Sequence, residues 1–459
     1  MSEPTSHATF ASHSTRRRFF QRTAAAGVGF WVAGGVSLRA STSPNEQLQV
    51  GGIGVNGKGR SDVRNASRFG KIHALCDVDR VFLEQAGQAY KTDLLYTDFR
   101  EMLDVLGDKL DVVTVSTPDH THAVAAAKAM KLGKHVYCQK PLTHSIWEAR
   151  QLGEIARAKN VVTQMGNQYT AFAPMREAAY RVRGGQLGNV REVHVWTNRP
   201  VWPQGEARPE AKPIPNELNW EAWLGPAPYR PYGEGYHTFK WRGWWDFGTG
   251  ALGDMACHTC SLPFMALNMR DPVSVEAETS GHNHDSYPVK SKIKFEFPAL
   301  GSRSAFTLFW YDGSNLPPAE VTAPFVAGDA SKKLNASGCV MIGDKAMLYA
   351  AGDYAEAGIE YLDAAGKPGV ELLASDYPQP VAAPELGHVQ EFYEAIHDRS
   401  KKAVSNFPDY AGPLTETILL GNLAVWKQGR VEWDAKTMTP SDPALAKIVR
   451  REYRYGYEI

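Results

Sequence analysis

A lysine closing an apolar run, and an aspartate four residues before a histidine, are the parts of this chain best suited to chemistry. Lys140 lies in Val136-Tyr137-Cys138-Gln139-Lys140-Pro141-Leu142, and Asp254 and His258 lie in Asp246-Phe247-Gly248-Thr249-Gly250-Ala251-Leu252-Gly253-Asp254-Met255-Ala256-Cys257-His258. A spacing of four puts the last two on one face of a helix. Imidazole titrates near working pH and can take or give a proton. An ammonium group can hold an oxygen on which negative charge develops, and a carboxylate can steady either cation. Such parts can move a proton while a hydride moves. Taken singly, each has a plainer reading: a snorkelling surface lysine, a helix cap and a satisfied core histidine. Their combination with the glycine turn below favours an enzyme.

These residues need a sheet to position them. From residue 48 the chain alternates apolar runs and helical stretches in the manner of a doubly wound parallel sheet. Strands are expected at 48–55, 71–77, 111–118, 135–141 and 161–168, with helices at 61–69, 123–132 and 145–158. After the first strand comes Gly52-Ile53-Gly54-Val55-Asn56-Gly57-Lys58-Gly59. Glycines there allow a sharp turn and bring amide N–H groups to a pyrophosphate at a helix N-terminus. Gly52, Gly54 and Gly57 fit G-x-G-x-x-G literally. The frame Gly54, Asn56, Gly59 starts one residue past the strand and is preferred, because Asn tolerates positive φ. Asp77, about 20 residues past Gly54, can accept bonds from both ribose hydroxyls and would repel a 2′-phosphate, which favours NAD over NADP. Asp79 could instead cap the next helix.

Thr117 and Pro118 leave the third strand at the end where open α/β sheets bind ligands. His120 and His122 follow, two apart and turned to different helix faces, so capping or cofactor contact is expected of them rather than metal binding. Cys257 and Cys260 form C-x-x-C, but no second ligand pair is suitably spaced. Five scattered cysteines do not make a disulfide framework, and buried thiols are expected. No metal site is expected.

Thr15-Arg16-Arg17-Arg18-Phe19-Phe20-Gln21 and the weakly apolar stretch 24–36 resemble a twin-arginine export signal, too short to span a bilayer as a stable helix. Export to the periplasm is expected. The arginine in Leu38-Arg39-Ala40 obscures the cleavage point and leaves retention as a membrane tether open. Charges balance over the 459 residues, at 50 Lys+Arg and 50 Asp+Glu. With the basic arm set aside, the body is slightly acidic, so nothing suggests nucleic acid or an anionic membrane as partner. A small neutral substrate fits better.

With these residues in view, the chain is similar to the Gfo/Idh/MocA family, the glucose-fructose oxidoreductase and inositol dehydrogenase group, and most of all to its exported bacterial members. The likeness rests on the glycine turn, on Gln139-Lys140-Pro141 where relatives usually carry Glu-Lys-Pro, on Asp254 and His258, and on phrases such as Gln164-Met165-Gly166-Asn167-Gln168 and Tyr410-Ala411-Gly412-Pro413-Leu414. It implies an α/β fold: an NAD(P)-binding Rossmann domain, then an α/β domain with a large, mostly antiparallel open sheet. Strand character at 190–197, 273–279, 291–297, 304–311 and 338–350 agrees. The division expected is signal and linker 1–44, Rossmann domain 45–168, substrate and oligomerisation domain 169–425, and a tail 426–459 packing back on the body. The family also makes a dimer or tetramer plausible.

By the same resemblance Lys140 holds the reacting oxygen, His258 is the general acid/base and Asp254 supports it. The cofactor, NAD that could stay bound, would touch Gly54, Asn56, Gly57, Gly59, Asp77, Thr117, Pro118, His122, Gln139, Lys140 and Gln168. A carbohydrate site could use Asn167, Arg199, Trp202, Trp245 and Asp246, since aromatic faces stack on pyranose rings and amides match hydroxyls. Three activities stay open: oxidation of a sugar, polyol or glycoside by hydride transfer; glycoside cleavage through transient oxidation and elimination; and sugar binding without catalysis.

Overall fold

Apolar runs without polar alternation become the strands of a parallel sheet buried on both faces. They are β1 (Leu48–Ile53), β2 (Gly70–Cys76), β3 (Leu95–Tyr96), β4 (Val112–Val115), β5 (His135–Cys138) and β6 (Thr163–Met165). Their order is β3-β2-β1-β4-β5-β6, parallel throughout. The order reverses between β1 and β4, which opens a crevice at the carboxyl ends of those strands. Strand β3 was not expected: two residues carry no periodic signal. The structure is a computed structural model describing residues 47–326, 332–374 and 383–459. The arginine run and apolar stretch read as an export signal lie outside the described residues.

Helices α1 (Lys58–Ala66), α2 (Arg80–Tyr90), α3 (Phe99–Leu106), α4 (Asp119–Lys131) and α5 (Ile146–Lys159) connect these strands. Several start on local caps: Asp79 caps α2 by accepting from the Val81 and Phe82 N–H groups, Asp98 caps α3, and Ser145 and Glu148 form a capping box on α5. Helix α4 is alanine-rich and buried on nearly every side, so it packs closely between sheet and α5.

The second half follows α6 (Ala173–Arg183) and is built on nine strands: β7 (Val190–Trp196), β8 (Ser274–Thr279), β9 (Ser291–Phe297), β10 (Phe306–Tyr311), β11 (Gly338–Gly343), β12 (Ala346–Ala351), β13 (Gly358–Asp363), β14 (Arg430–Asp434) and β15 (Thr439–Pro440). Every pairing is antiparallel except β7 with β10. The run 338–350, expected as one strand, is the hairpin β11–β12. Both strands are buried on both faces, so their pattern never alternates, and only Asp344-Lys345 marks the turn.

Between β7 and the helix pair α8 (Gly250–Thr259) and α9 (Ser261–Leu267) runs a long segment holding a short α-helix, α7 (Trp220–Leu224), and a single 3-10 turn at Lys240–Gly243. Helix α10 (Ala319–Val326) lays Val321 and Phe325 against Trp196, Val340, Ile342 and Tyr349 on one face of the large sheet. On the other face β9 alternates, with Ile293, Phe295 and Phe297 buried against α12 (Gly412–Lys427), which also packs on α5 and α8. Gly421 makes this approach possible, because a Cβ there would stand 2.9 Å from the Phe295 ring. Alanine there should cost roughly 1–3 kcal/mol by overpacking. Helix α12 thus fixes α8 against the Rossmann half. Two further helices, α11 (Pro384–His397) and α13 (Ala446–Val449), complete the body.

Candidate active site

Gly54 turns the chain out of β1 with φ +81°, and a Cβ on it would stand 2.5 Å from the Ser116 carbonyl oxygen. Gly59, in the first turn of α1, lies directly on the Gly54 carbonyl, so no side chain fits between turn and helix. Gly57 precedes α1 with φ +54°, and nothing lies within 4 Å of where its Cβ would be. Helix α1 has no side-chain cap. An uncapped N-terminus beside open space is a cradle for an anion, and its residues fit a dinucleotide pyrophosphate. The expectation for Asn56 is corrected: the second residue needing positive φ is Gly57. Asn56 instead uses its carbonyl to accept from Gly59 N–H and its side-chain oxygen to accept from Arg60.

Beside the turn is a cleft of about 410 Å³, lined among others by Gly54, Asn56, Gly57, Asp77, Thr117, Pro118, Gln139 and Lys140. Asp77 accepts from the Val55 and Asp79 N–H groups at 2.9 and 3.0 Å. Burial outweighs these bonds and raises its carboxyl to about 6. The segment carrying α7 crosses the same edge. Arg80 N–H donates to the Glu217 carbonyl, Asn219 N–H to the Val78 carbonyl, and Asp79 bridges Leu218. Trp223, His237, Phe239 and Arg242 of this strap form the opposite wall.

Lys140 lies just past the end of β5 and reaches α8. Its Nζ donates to the Asp254 carbonyl at 2.6 Å and to Asp254 Oδ1 at 3.0 Å, while Arg242 Nε donates to the same Oδ1 at 3.1 Å. Burial pushes the Asp254 carboxyl up, but the two cations more than offset it and hold it at about 2. The Asp254 carbonyl is the one to which helix geometry assigns the His258 N–H. Lys140 therefore docks on the helix one turn before His258. The imidazole of His258 is buried, set edge-on to the Tyr354 ring with centroids 4.7 Å apart, and its Nδ1 has no hydrogen-bond partner among the described residues. Burial, helped by the Lys140 charge, lowers its pKa well below the usual histidine range, so it is a neutral base. His258 does not line the cleft. It sits beyond Lys140, next to the stacked pair Tyr169 and Tyr354, whose rings are 4.3 Å apart.

Other expected residues are placed differently. His122 is buried with both ring nitrogens on backbone carbonyls, which removes it from the cofactor wall. Gln168 is buried with Oε1 unpartnered among the described residues, and it does not line the cleft. Asn167 accepts from Ser405 Oγ and donates to the Cys257 carbonyl, a packing role. Trp245 stacks on Tyr287 at 3.7 Å inside the core, Asp246 is paired with buried Arg230, and Trp202 donates to Gln204. Trp245 and Asp246 are not gathered around His258, whereas Trp202 packs against Phe239 and Arg242 at the edge of the cleft. Arg199 does approach the Tyr354 loop, pairing with Asp353 at 3.3 Å. Cys257 and Cys260 are buried free thiols, and no metal-binding cluster of His, Cys, Asp or Glu occurs among the described residues.

Asp62, Asp119, Arg242 and Tyr354 were not legible as site residues in the sequence. Asp62 is buried on α1 and accepts from Gln139 Nε2 and Ser116 Oγ, each at 2.8 Å. Asp119 lines the cleft and accepts from Thr249 Oγ1 at 2.7 Å, with burial raising its carboxyl to about 7. Arg242 sits in an aromatic-rich run that also holds Lys240, and nothing local marks which of the two cations reaches Asp254.

Two family models match the chain: the oxidoreductase family's NAD-binding Rossmann fold at residues 48–167, and its C-terminal alpha/beta domain at residues 188–339. A glycosyl hydrolase family 109 protein of Solibacter usitatus is 33% identical over 161 residues, covering 32% of this chain and 37% of that one. A levoglucosan dehydrogenase of Pseudarthrobacter phenanthrenivorans is 29% identical over 167 residues, covering 36% and 35%. Among solved structures, the WlbA dehydrogenase of Bordetella pertussis, in complex with NADH and UDP-GlcNAcA, shares the fold with a TM-score of 0.59 at 14% identity, over 84% of this chain and 99% of that one. The chain spans less than half the length of the curated relatives it matches.

Proposed function

This chain belongs to the Gfo/Idh/MocA oxidoreductase family, and on that premise we propose that it oxidises a secondary alcohol of a sugar, polyol or glycoside with a bound nicotinamide dinucleotide. The observation that carries this reading is the Lys140 ammonium, held at the end of the glycine-turned cleft by both oxygens that Asp254 presents to it. When bound, the nicotinamide supplies the hydride acceptor. Lys140 has three N–H donors and gives two to Asp254, so the third serves the substrate oxygen and stabilises it as charge develops. His258, kept neutral, takes the hydroxyl proton. Asp254 stays ionised between Lys140 and Arg242 and keeps both cations in register. Tyr354, Tyr169 and the Arg199–Asp353 pair, beside His258, suit a ring bearing hydroxyls.

The cofactor in this reading is NAD, because a second anion beside Asp77 would be repelled. The strap stitched across Val78, Asp79 and Arg80 supports slow release. We extend the proposal to export by the twin-arginine route, with the signal either removed or kept as a tether, and to assembly as a dimer or tetramer. No helix among the described residues is long and apolar enough to cross a membrane. A second reading, transient oxidation followed by loss of an aglycone, is supported by the likeness to the family 109 glycosyl hydrolase and uses the same residues. Native mass spectrometry of the exported protein should find one NAD(H) per chain; protein without nicotinamide, and unable to take it up, would defeat the proposal. Aryl glycosides separate the two readings, since the second predicts phenol release without net NADH.

A further inference from the structure

Four consecutive residues that open α4, Asp119-His120-Thr121-His122, are buried, and each is tied to a different part of the site. Asp119 accepts from Thr249, the residue before α8. The His120 ring meets the Phe247 carbonyl at 3.1 Å through Nδ1 and the Trp223 carbonyl of α7 at 2.9 Å through Nε2. Thr121 lies against Gly225, where α7 ends and where a Cβ would stand 3.2 Å from its hydroxyl. His122 sets Nδ1 2.7 Å from the Pro141 carbonyl and Nε2 2.8 Å from the Thr117 carbonyl. Thr117 lines the cleft, and Pro141 directly follows Lys140.

We infer that this turn is a positioning element, with His122 the residue that holds Lys140 in place by spanning the carbonyls on either side of the β4–β5 exit. A neutral imidazole donates its one N–H to one of the two carbonyls while its rigid ring fills the space up to the other, so it fixes the spacing of the two backbones. Both nitrogens of His120 and of His122 face backbone carbonyls, and each neutral ring donates its single N–H to one of its two, so neither ring is turned toward the cleft. Asp119 and His120 do for α8 and the strap what His122 does for β5. The catalytic consequence rests on the role proposed above for Lys140; the geometric consequence does not.

Acetylation of the full chain by acetic anhydride, followed residue by residue by mass spectrometry, reads how firmly the Lys140 ammonium is held. In the wild type Lys140 should react slowly, being only 17% exposed and bonded twice to Asp254. His122→Ala should raise its rate about tenfold, the equivalent of one charge-assisted bond. His122→Gln, whose amide can serve one of the two carbonyls, should restore part of the protection. It also carries the test if the alanine variant does not fold. His135→Ala removes an imidazole at the opposite end of β5, where Nδ1 accepts from Val162 N–H at 2.9 Å. It should lower Tm and leave Lys140 labelling unchanged. Equal Lys140 labelling in wild type and folded His122→Ala, or an equal rise in His135→Ala, would overturn the inference. NADH titrated by nicotinamide fluorescence should bind His122→Ala within about twofold of wild type, since the phosphate and ribose ends of the cleft are untouched. If labelling responds to His122 while the wild type never binds NADH, the positioning role stands and the dinucleotide reading falls.

Discussion

Gln139 donates its amide N–H to the buried carboxylate of Asp62 at 2.8 Å, across the gap between β5 and α1. Where relatives usually carry a glutamate beside the lysine, this chain carries an amide, and Asp62 gives the physical reason. Burial raises the Asp62 carboxyl, while Lys58, Ser116 and Gln139 together moderate it. A second carboxylate at 139 would face the first with one donor fewer. Gln139→Glu should therefore destabilise the fold by roughly 2–4 kcal/mol, and adding Asp62→Asn should recover most of that loss. Urea unfolding of the single and double variants at pH 7 measures both. An unchanged midpoint in Gln139→Glu would show that the pair does not matter.

Asp77 should make dinucleotide affinity depend on pH. Its folded-state value of about 6 lies above the ordinary carboxylate range, so its acceptor capacity is full above pH 6 and is lost as the pH falls through 6. NADH affinity, read by fluorescence, should be flat from pH 7 to 9 and weaken up to about tenfold between pH 6 and 5. Asp77→Ala should abolish that dependence and admit NADPH as readily as NADH. Continued rejection of NADPH would remove Asp77 as the selecting residue.

Lys140→Ala leaves the Arg242 to Asp254 bond at 3.1 Å intact, so folding and NADH binding should change little. Turnover of an oxidisable sugar should nevertheless fall by about 10²–10³. His258→Ala should lose about 10²–10⁴ and also abolish the acid limb of the pH–rate profile. A single-turnover measurement with enzyme-bound NAD gives both values. A fall of less than about tenfold in both variants would place the chemistry elsewhere.

Buried histidines, His120, His122 and His388 among them, should set the acid limit of stability. Burial lowers His120 and His388 to about 3 and His122 to about 4, against an unfolded value near 6.5. The unfolded chain therefore binds more protons between pH 6.5 and about 4, so stability rises with pH through that window and is lost as pH falls. Each site costs about 2 kcal/mol at pH 5. The Tm difference between pH 7 and pH 5 should shrink in His388→Gln, even if both values are lower than in the wild type. Differential scanning calorimetry at the two pH values decides it, and an undiminished difference would exclude His388 from the acid limit.

Much of this protein was written in local pattern. Continuous apolar runs fixed the buried parallel strands, glycine spacing fixed the turn at Gly54 to Gly59, and a four-residue interval put Asp254 and His258 on one helix, because each depends on neighbours within a few bonds. Tertiary structure decided which charges meet. Arg242 reaches Asp254 only because the strap returns over the cleft, Asp62 reaches Gln139 only because α1 lies beside β5, and Tyr354 meets His258 only because a β12–β13 turn bends inward. Trp245 and Asp246 have the chemistry of a sugar site, yet packing takes them elsewhere. Side-chain type limits what a residue can do, and long-range chain path, set by burial of the large sheet against α12, selects which of those possibilities is realised.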